Sequence, residues 1–78
     1  MANRLFDVLA AALGVDAAAI DETTSAASLE SWDSLRQMQL VFALEEAYGV
    51  TFGDDEIPTL DSVVAIRASL HAKGVRVP

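Results

Sequence analysis

Leu5, Leu9, Ala12 and Leu13 stand at the i, i+4, i+7 and i+8 positions of one helical face, and Gly14 follows as a residue suited to a left-handed C-cap. The spacing predicts a first helix over about 2–13. From Val15 to Asp33 the helical period disappears and Asp, Thr and Ser accumulate, with Ile20 and Leu29 as isolated apolar anchors. This reads as a long loop pinned to the core, and a loop of that length in a small domain needs a job. Its end delivers the chain to Trp32-Asp33-Ser34-Leu35.

A second helix is expected over 34–48, stopped by Gly49, with Ser34 and Gln37 spaced as a capping box. At 100° per residue Leu40, Val41, Leu44, Ala47 and Tyr48 gather on one side. Leu35, Met38 and Phe42 gather on the other, between Gln39, Glu45 and Glu46. One face can be core; the other must find something else. Next, Gly53-Asp54-Asp55-Glu56-Ile57 offers at most one turn, a short helix over 54–57, before Pro58. The last helix is expected over 62–73, capped by Asp61 or Ser62, with Val63, Ile66 and Leu70 on one face. His71 and Lys73 suit the negative end of its dipole, and 75–78 is read as a frayed tail. The expected fold class is all-α: a small bundle of three main helices plus one short one, in a single domain spanning 1–78.

Composition narrows the function. At 78 residues one hydrophobic core supplies roughly 3 to 5 kcal/mol of net stability. The absence of cysteine removes disulfides, thiolate metal sites and a thiol nucleophile, and fits a reducing cytoplasm. No apolar run approaches the roughly 18 residues of a membrane span, and no signal peptide is visible. Twelve acids against five bases, a net charge of −7, repel nucleic acid and anionic lipid and attract proteins with basic patches. At 53% hydrophobic the chain is nevertheless no disordered acidic tail.

A small acidic helical bundle in which a long loop presents Asp33-Ser34-Leu35 at the start of a two-faced helix resembles the acyl carrier proteins. Leu13-Gly14-Val15-Asp16 is similar to the family's step after its first helix, and Asp33-Ser34-Leu35 to its signature. The run Ala43-Leu44-Glu45-Glu46-Ala47-Tyr48-Gly49-Val50 follows its pattern, and Asp54-Asp55-Glu56-Ile57 and Leu60-Asp61-Ser62-Val63 look like its third helix and the start of its last. Asp-Ser-Leu alone would carry no information; in this helical setting it does.

The resemblance implies that a phosphopantetheinyl transferase esterifies Ser34 from coenzyme A, with Asp33 and Leu35 flanking the site. A 4′-phosphopantetheine arm then carries acyl or aminoacyl groups as thioesters and presents them to partner enzymes that load and process them. The expected carrier is stand-alone, monomeric and cytoplasmic. Its partner contacts would be Leu35, Arg36, Met38, Gln39, Phe42, Glu45 and Glu46. Carriers of central fatty-acid synthesis usually show acids soon after Ser-Leu, where Arg36 and Gln39 stand here, and peptidyl carriers usually have glycine-rich residues before the serine, unlike Glu30-Ser31-Trp32-Asp33. A specialised pathway, of polyketide or related type, is therefore expected.

Plainer readings stand beside these. Ser34 could be only a helix cap, and the Leu35, Met38 and Phe42 stripe only a second buried face. Trp32 reads as a core or loop anchor, with partner contact as the alternative. Asp54-Asp55-Glu56 reads as a solvated helix start, with weak binding of a divalent cation as the alternative; it lacks the order of a calcium loop, and no metal site is expected. Catalysis is not expected either: the one histidine, His71, lies in the last helix, and adjacent Asp33 and Ser34 cannot make a triad. The rival function is an unmodified interaction domain that lays the second helix into a partner's groove.

Overall fold

The computed structural model describes residues 4–77. Three α-helices form: α1 (Arg4–Leu13), α2 (Ser34–Tyr48) and α3 (Val63–Ala72), with 3-10 turns at Ala17–Ala19 and Ile57–Thr59. Positions 2 and 3 of the expected first helix lie outside the described residues. The fold is an all-α bundle, with one isolated bridge, Ser25 to Ser62, as its only extended pairing among the described residues.

Helix periodicity explains the core. Leu5, Leu9 and Leu13 of α1, Leu40 and Leu44 of α2, and Val63, Ile66 and Leu70 of α3 have no solvent exposure. These stripes meet in one cluster that also takes Ile20, Trp32, Phe52 and Leu60 from the connections. Gly14 and Gly49 end their helices at φ 71° and 65°, the left-handed geometry that glycine adopts without a Cβ penalty.

Helices α1 and α2 are cross-tied at opposite ends. Arg4, at the start of α1, donates to the carbonyl of Ala47 at the end of α2 (3.1 Å) and lies over the Tyr48 ring. Arg36, in the first turn of α2, donates to the carbonyl of Ala12 at the end of α1 (3.4 Å). Each helix thus places a cation on the other's negative end and satisfies a carbonyl there.

The connections depart from expectation in three places. Residues 54–56 form a turn and the short helical element comes later, as the 3-10 turn at Ile57–Thr59. Pro58 explains the shift, since it donates no N–H but fits the opening of a turn with its fixed φ. The expected capping box of Ser34 and Gln37 does not form: Asp33 is the N-cap, its Oδ1 accepting from the Arg36 N–H (2.9 Å). The tail does not fray at 75–77. Val75 N–H bonds the Leu70 carbonyl (2.9 Å), His71 Nε2 lies 2.9 Å from the Val77 oxygen, and Val77 is buried, its apolar side chain recovering core contact. Pro78 lies outside the described residues.

Candidate functional site

The long loop does its work through backbone and anchors. Ala26 N–H bonds the Asp61 carbonyl (2.8 Å) and Val63 N–H the Thr24 carbonyl (3.0 Å), so the loop is stitched to the start of α3. An Arg67–Glu22 ion pair closes the outer side. Trp32 is buried, with 6% exposure, and its indole N–H donates to Gln37 Oε1 (2.6 Å). The anchor reading of Trp32 therefore describes its packing, and the chain leaves the anchor directly into Asp33 and Ser34.

Four serines cluster in this stretch, at 25, 28, 31 and 34, and their surroundings differ. Ser25 and Ser28 bond one another's polar groups across a turn. The Ser31 hydroxyl oxygen is buried with no hydrogen-bond partner. Ser34 is exposed at the first position of α2. Because Asp33 is the cap, the Ser34 hydroxyl is not consumed in capping, and the amides of Ser34 and Leu35 precede the first intrahelical acceptor. An exposed hydroxyl beside unpaired helix N–H groups suits attachment of a phosphate diester.

Beside Ser34 lies an open groove of about 560 Å³, bounded by Trp32, Gln37 and Met38 on one bank and Ile57 and Pro58 on the other. Its walls are mainly apolar, and Asp33, Ser34 and Asp61 also line it.

The face of α2 turned away from the core carries Leu35 at 66% exposure, Phe42 at 61% and Met38 at 39%. The stripe is therefore not a second buried face. Gln39 and Glu46 are exposed with it. The two other polar residues expected on this rim are committed inside the molecule. The half-buried Arg36 guanidinium bonds the Ala12 carbonyl and Gln39 Oε1 (3.3 Å), packed so closely on Gly14 that a Cβ there would meet it at 2.9 Å. Glu45 accepts from the Phe52 N–H (2.9 Å). Sequence reasoning missed Gln37 as a site residue; its spacing from Ser34 suggested a cap, and only the juxtaposition of Trp32 and 57–60 reveals its use.

Among the described residues no group of three or more His, Asp or Glu could hold a metal, and no helix is long and apolar enough to cross a membrane. Glu56 sits below the usual carboxylate range because Lys73 bonds it (2.8 Å) and the Gly53 N–H adds to the effect. Asp21 is lowered likewise, chiefly by the Thr23 hydroxyl.

A small all-α bundle that presents an exposed serine at a helix start, with an apolar groove and an exposed apolar stripe on either side, is the architecture of a carrier domain. The family model for the phosphopantetheine attachment site matches residues 3–68, and the chain belongs to this family of carrier proteins. Its members bear a covalently attached 4′-phosphopantetheine and deal with phosphopantetheinyl transferases and acyl-handling enzymes. A separate comparison with curated proteins finds no match to the chain.

Proposed function

We propose that Ser34 is the residue esterified with 4′-phosphopantetheine and that residues 1–78 act as one carrier unit for acyl or aminoacyl thioesters. The observation that carries this reading is the contrast among the serines: Asp33 takes the capping role, which leaves Ser34 as the exposed hydroxyl at the helix start. When bound, the arm supplies a terminal thiol, which this cysteine-free chain lacks and which serine or lysine could not replace as a thioester leaving group. The protein's own part is to hold the serine at the end of a rigid helix, keep the diester on the helix amides and offer a face to partners. It does no chemistry itself: the sequence supplies a single histidine, and that residue bonds the tail through Val77.

Leu35, Met38, Gln39, Phe42 and Glu46 form the partner face, with Arg36 and Glu45 at its margins tied into the fold. The absence of acids directly after Ser34-Leu35 favours partners of a specialised pathway, polyketide-type or related, in a reducing cytoplasm, with the carrier working as a monomer.

Apo-protein incubated with coenzyme A and a broad-specificity phosphopantetheinyl transferase, then weighed intact, tests the assignment. The wild type should gain one phosphopantetheine and Ser34→Ala none. No gain on the wild type would favour the unmodified interaction domain, and an equal gain on Ser34→Ala would move the site elsewhere.

A further inference from the structure

The carboxamide of Gln37 lies where three segments meet. Its Oε1 accepts from the Trp32 indole N–H at 2.6 Å, and its Nε2 donates to the carbonyls of Ile57 at 2.8 Å and Leu60 at 3.1 Å. An indole nitrogen is only a donor and a backbone carbonyl only an acceptor, so the bridging group must accept at one end and donate twice at the other. A carboxamide of this length does so. Glutamate would leave both carbonyls facing an anion, lysine or arginine would leave the indole without an acceptor, and leucine would serve neither.

The bridge spans the groove beside Ser34. Trp32 belongs to the bank that leads directly into the serine, and Ile57 and Pro58 form the opposite bank. The other described hydrogen bonds of residues 57–60 run locally, Ile57 N–H to Gly53, Thr59 to Glu56 and Leu60 to Ile57. Leu60 adds buried apolar contact. The polar link that sets the distance between the banks is therefore one side chain.

We infer that Gln37 is a positioning residue for reactions at Ser34: by bracing 57–60 against Trp32 it presents partner enzymes with a surface already in its binding geometry. This rests on Ser34 being the attachment site. Without the bridge, 57–60 samples several positions, and a partner that recognises one of them binds more weakly by the fraction of time that position is occupied. Transfer at Ser34 itself, whose helix cap comes from Asp33, is unaffected once the complex forms. The predicted signature is a change in KM with kcat preserved.

The test compares apo wild type with Gln37→Leu, Trp32→Phe and the double variant, measuring kcat and KM for modification by the same transferase with coenzyme A, and amide exchange along the backbone. Gln37→Leu should speed exchange at Thr59 and Leu60 by roughly tenfold, because the Leu60 carbonyl and the Trp32 indole N–H lose their described partner and the Ile57 carbonyl keeps only the Leu60 N–H, while α1 exchanges as in the wild type. KM should rise by about three- to tenfold with kcat within about twofold, the size of shift that losing a pre-set conformation produces. Trp32→Phe should move KM in the same direction but less, and the double variant should be no worse than Gln37→Leu alone. An unchanged KM despite faster exchange at 57–60 would overturn the inference. So would a fall in kcat in proportion to a general loss of structure. If Gln37→Leu does not fold, Trp32→Phe decides: an unchanged KM overturns the inference. A wild type that is never modified fails the attachment reading instead, which the Ser34→Ala control separates from failure of this one.

Discussion

The two sides of α2 are made of similar residues and meet opposite fates. Leu40, Val41 and Leu44 are at most 1% exposed, whereas Leu35 and Phe42 are more than half exposed. Hydrophobicity alone does not separate these sets; phase around the helix does. The inward side earns its place by packing. Among the described residues Leu35 and Phe42 stay in water, and apolar groups left together in water next to the proposed attachment site are what an interaction face requires.

That difference is open to attack from both sides. Leu44→Ala should lose about 2–5 kcal/mol through lost transfer energy and the cavity left behind, enough to unfold much of a domain this small, as read by denaturant melting. Met38→Glu should leave the melt nearly unchanged, because the introduced charge stays in water, yet slow loading of the holo-protein by partner enzymes by about tenfold. A Met38→Glu protein that melts early would mean that the outward face is structural after all.

Smaller effects probe the margin of the face. Gly14→Ala should cost about 1–2 kcal/mol, because φ 71° is left-handed and the new Cβ would push the Arg36 guanidinium off the Ala12 carbonyl. Arg36→Ala should cost about 0.5–1.5 kcal/mol by losing the hydrogen bond to the end of α1. Loading by a fatty-acid transacylase distinguishes this tie from a docking role. As a tie, Arg36→Ala and Arg36→Asp load alike; as a docking cation, Arg36→Asp loads faster, with the gain shrinking as salt rises.

The smallest expected effect is in the second connection. The Glu56 carboxyl is held below its ordinary value of 4.5 by the bond from Lys73. A lowered folded pKa means that this contribution is present above the unfolded value and lost as pH falls through the folded one. The melting gap between wild type and Glu56→Gln should therefore be steady near neutrality and close below about pH 4.5.

The helices and the faces of α2 were legible in the sequence because burial on a helix writes a period of 3.6. The core stripe Leu5, Leu9 and Leu13 and the exposed stripe Leu35, Met38 and Phe42 both follow from it. What stayed hidden depends on partners far along the chain or on a choice between neighbours. Asp33 and Ser34 are both good caps, and adjacency does not say which one caps. Gln37 looked like half of a capping box because its true partners, at 57 and 60, are unconnected to it by any local pattern. Arg36 and Glu45 read as rim charges for the same reason, since their acceptor and donor lie on other segments. The folded-back tail was missed because a single valine, Val77, carries no periodicity.

The central claim is that Ser34, among the chain's clustered serines, carries the arm. Holo-protein cut after arginine and lysine yields a peptide, residues 5–36, that contains Ser25, Ser28, Ser31 and Ser34 together, and fragmentation of that peptide assigns the modification to one of them. A phosphopantetheine on Ser34 alone is expected, with the other three serines of the peptide unmodified. Finding it on Ser25, Ser28 or Ser31, or finding this peptide unmodified in a protein that gained the mass, would contradict it.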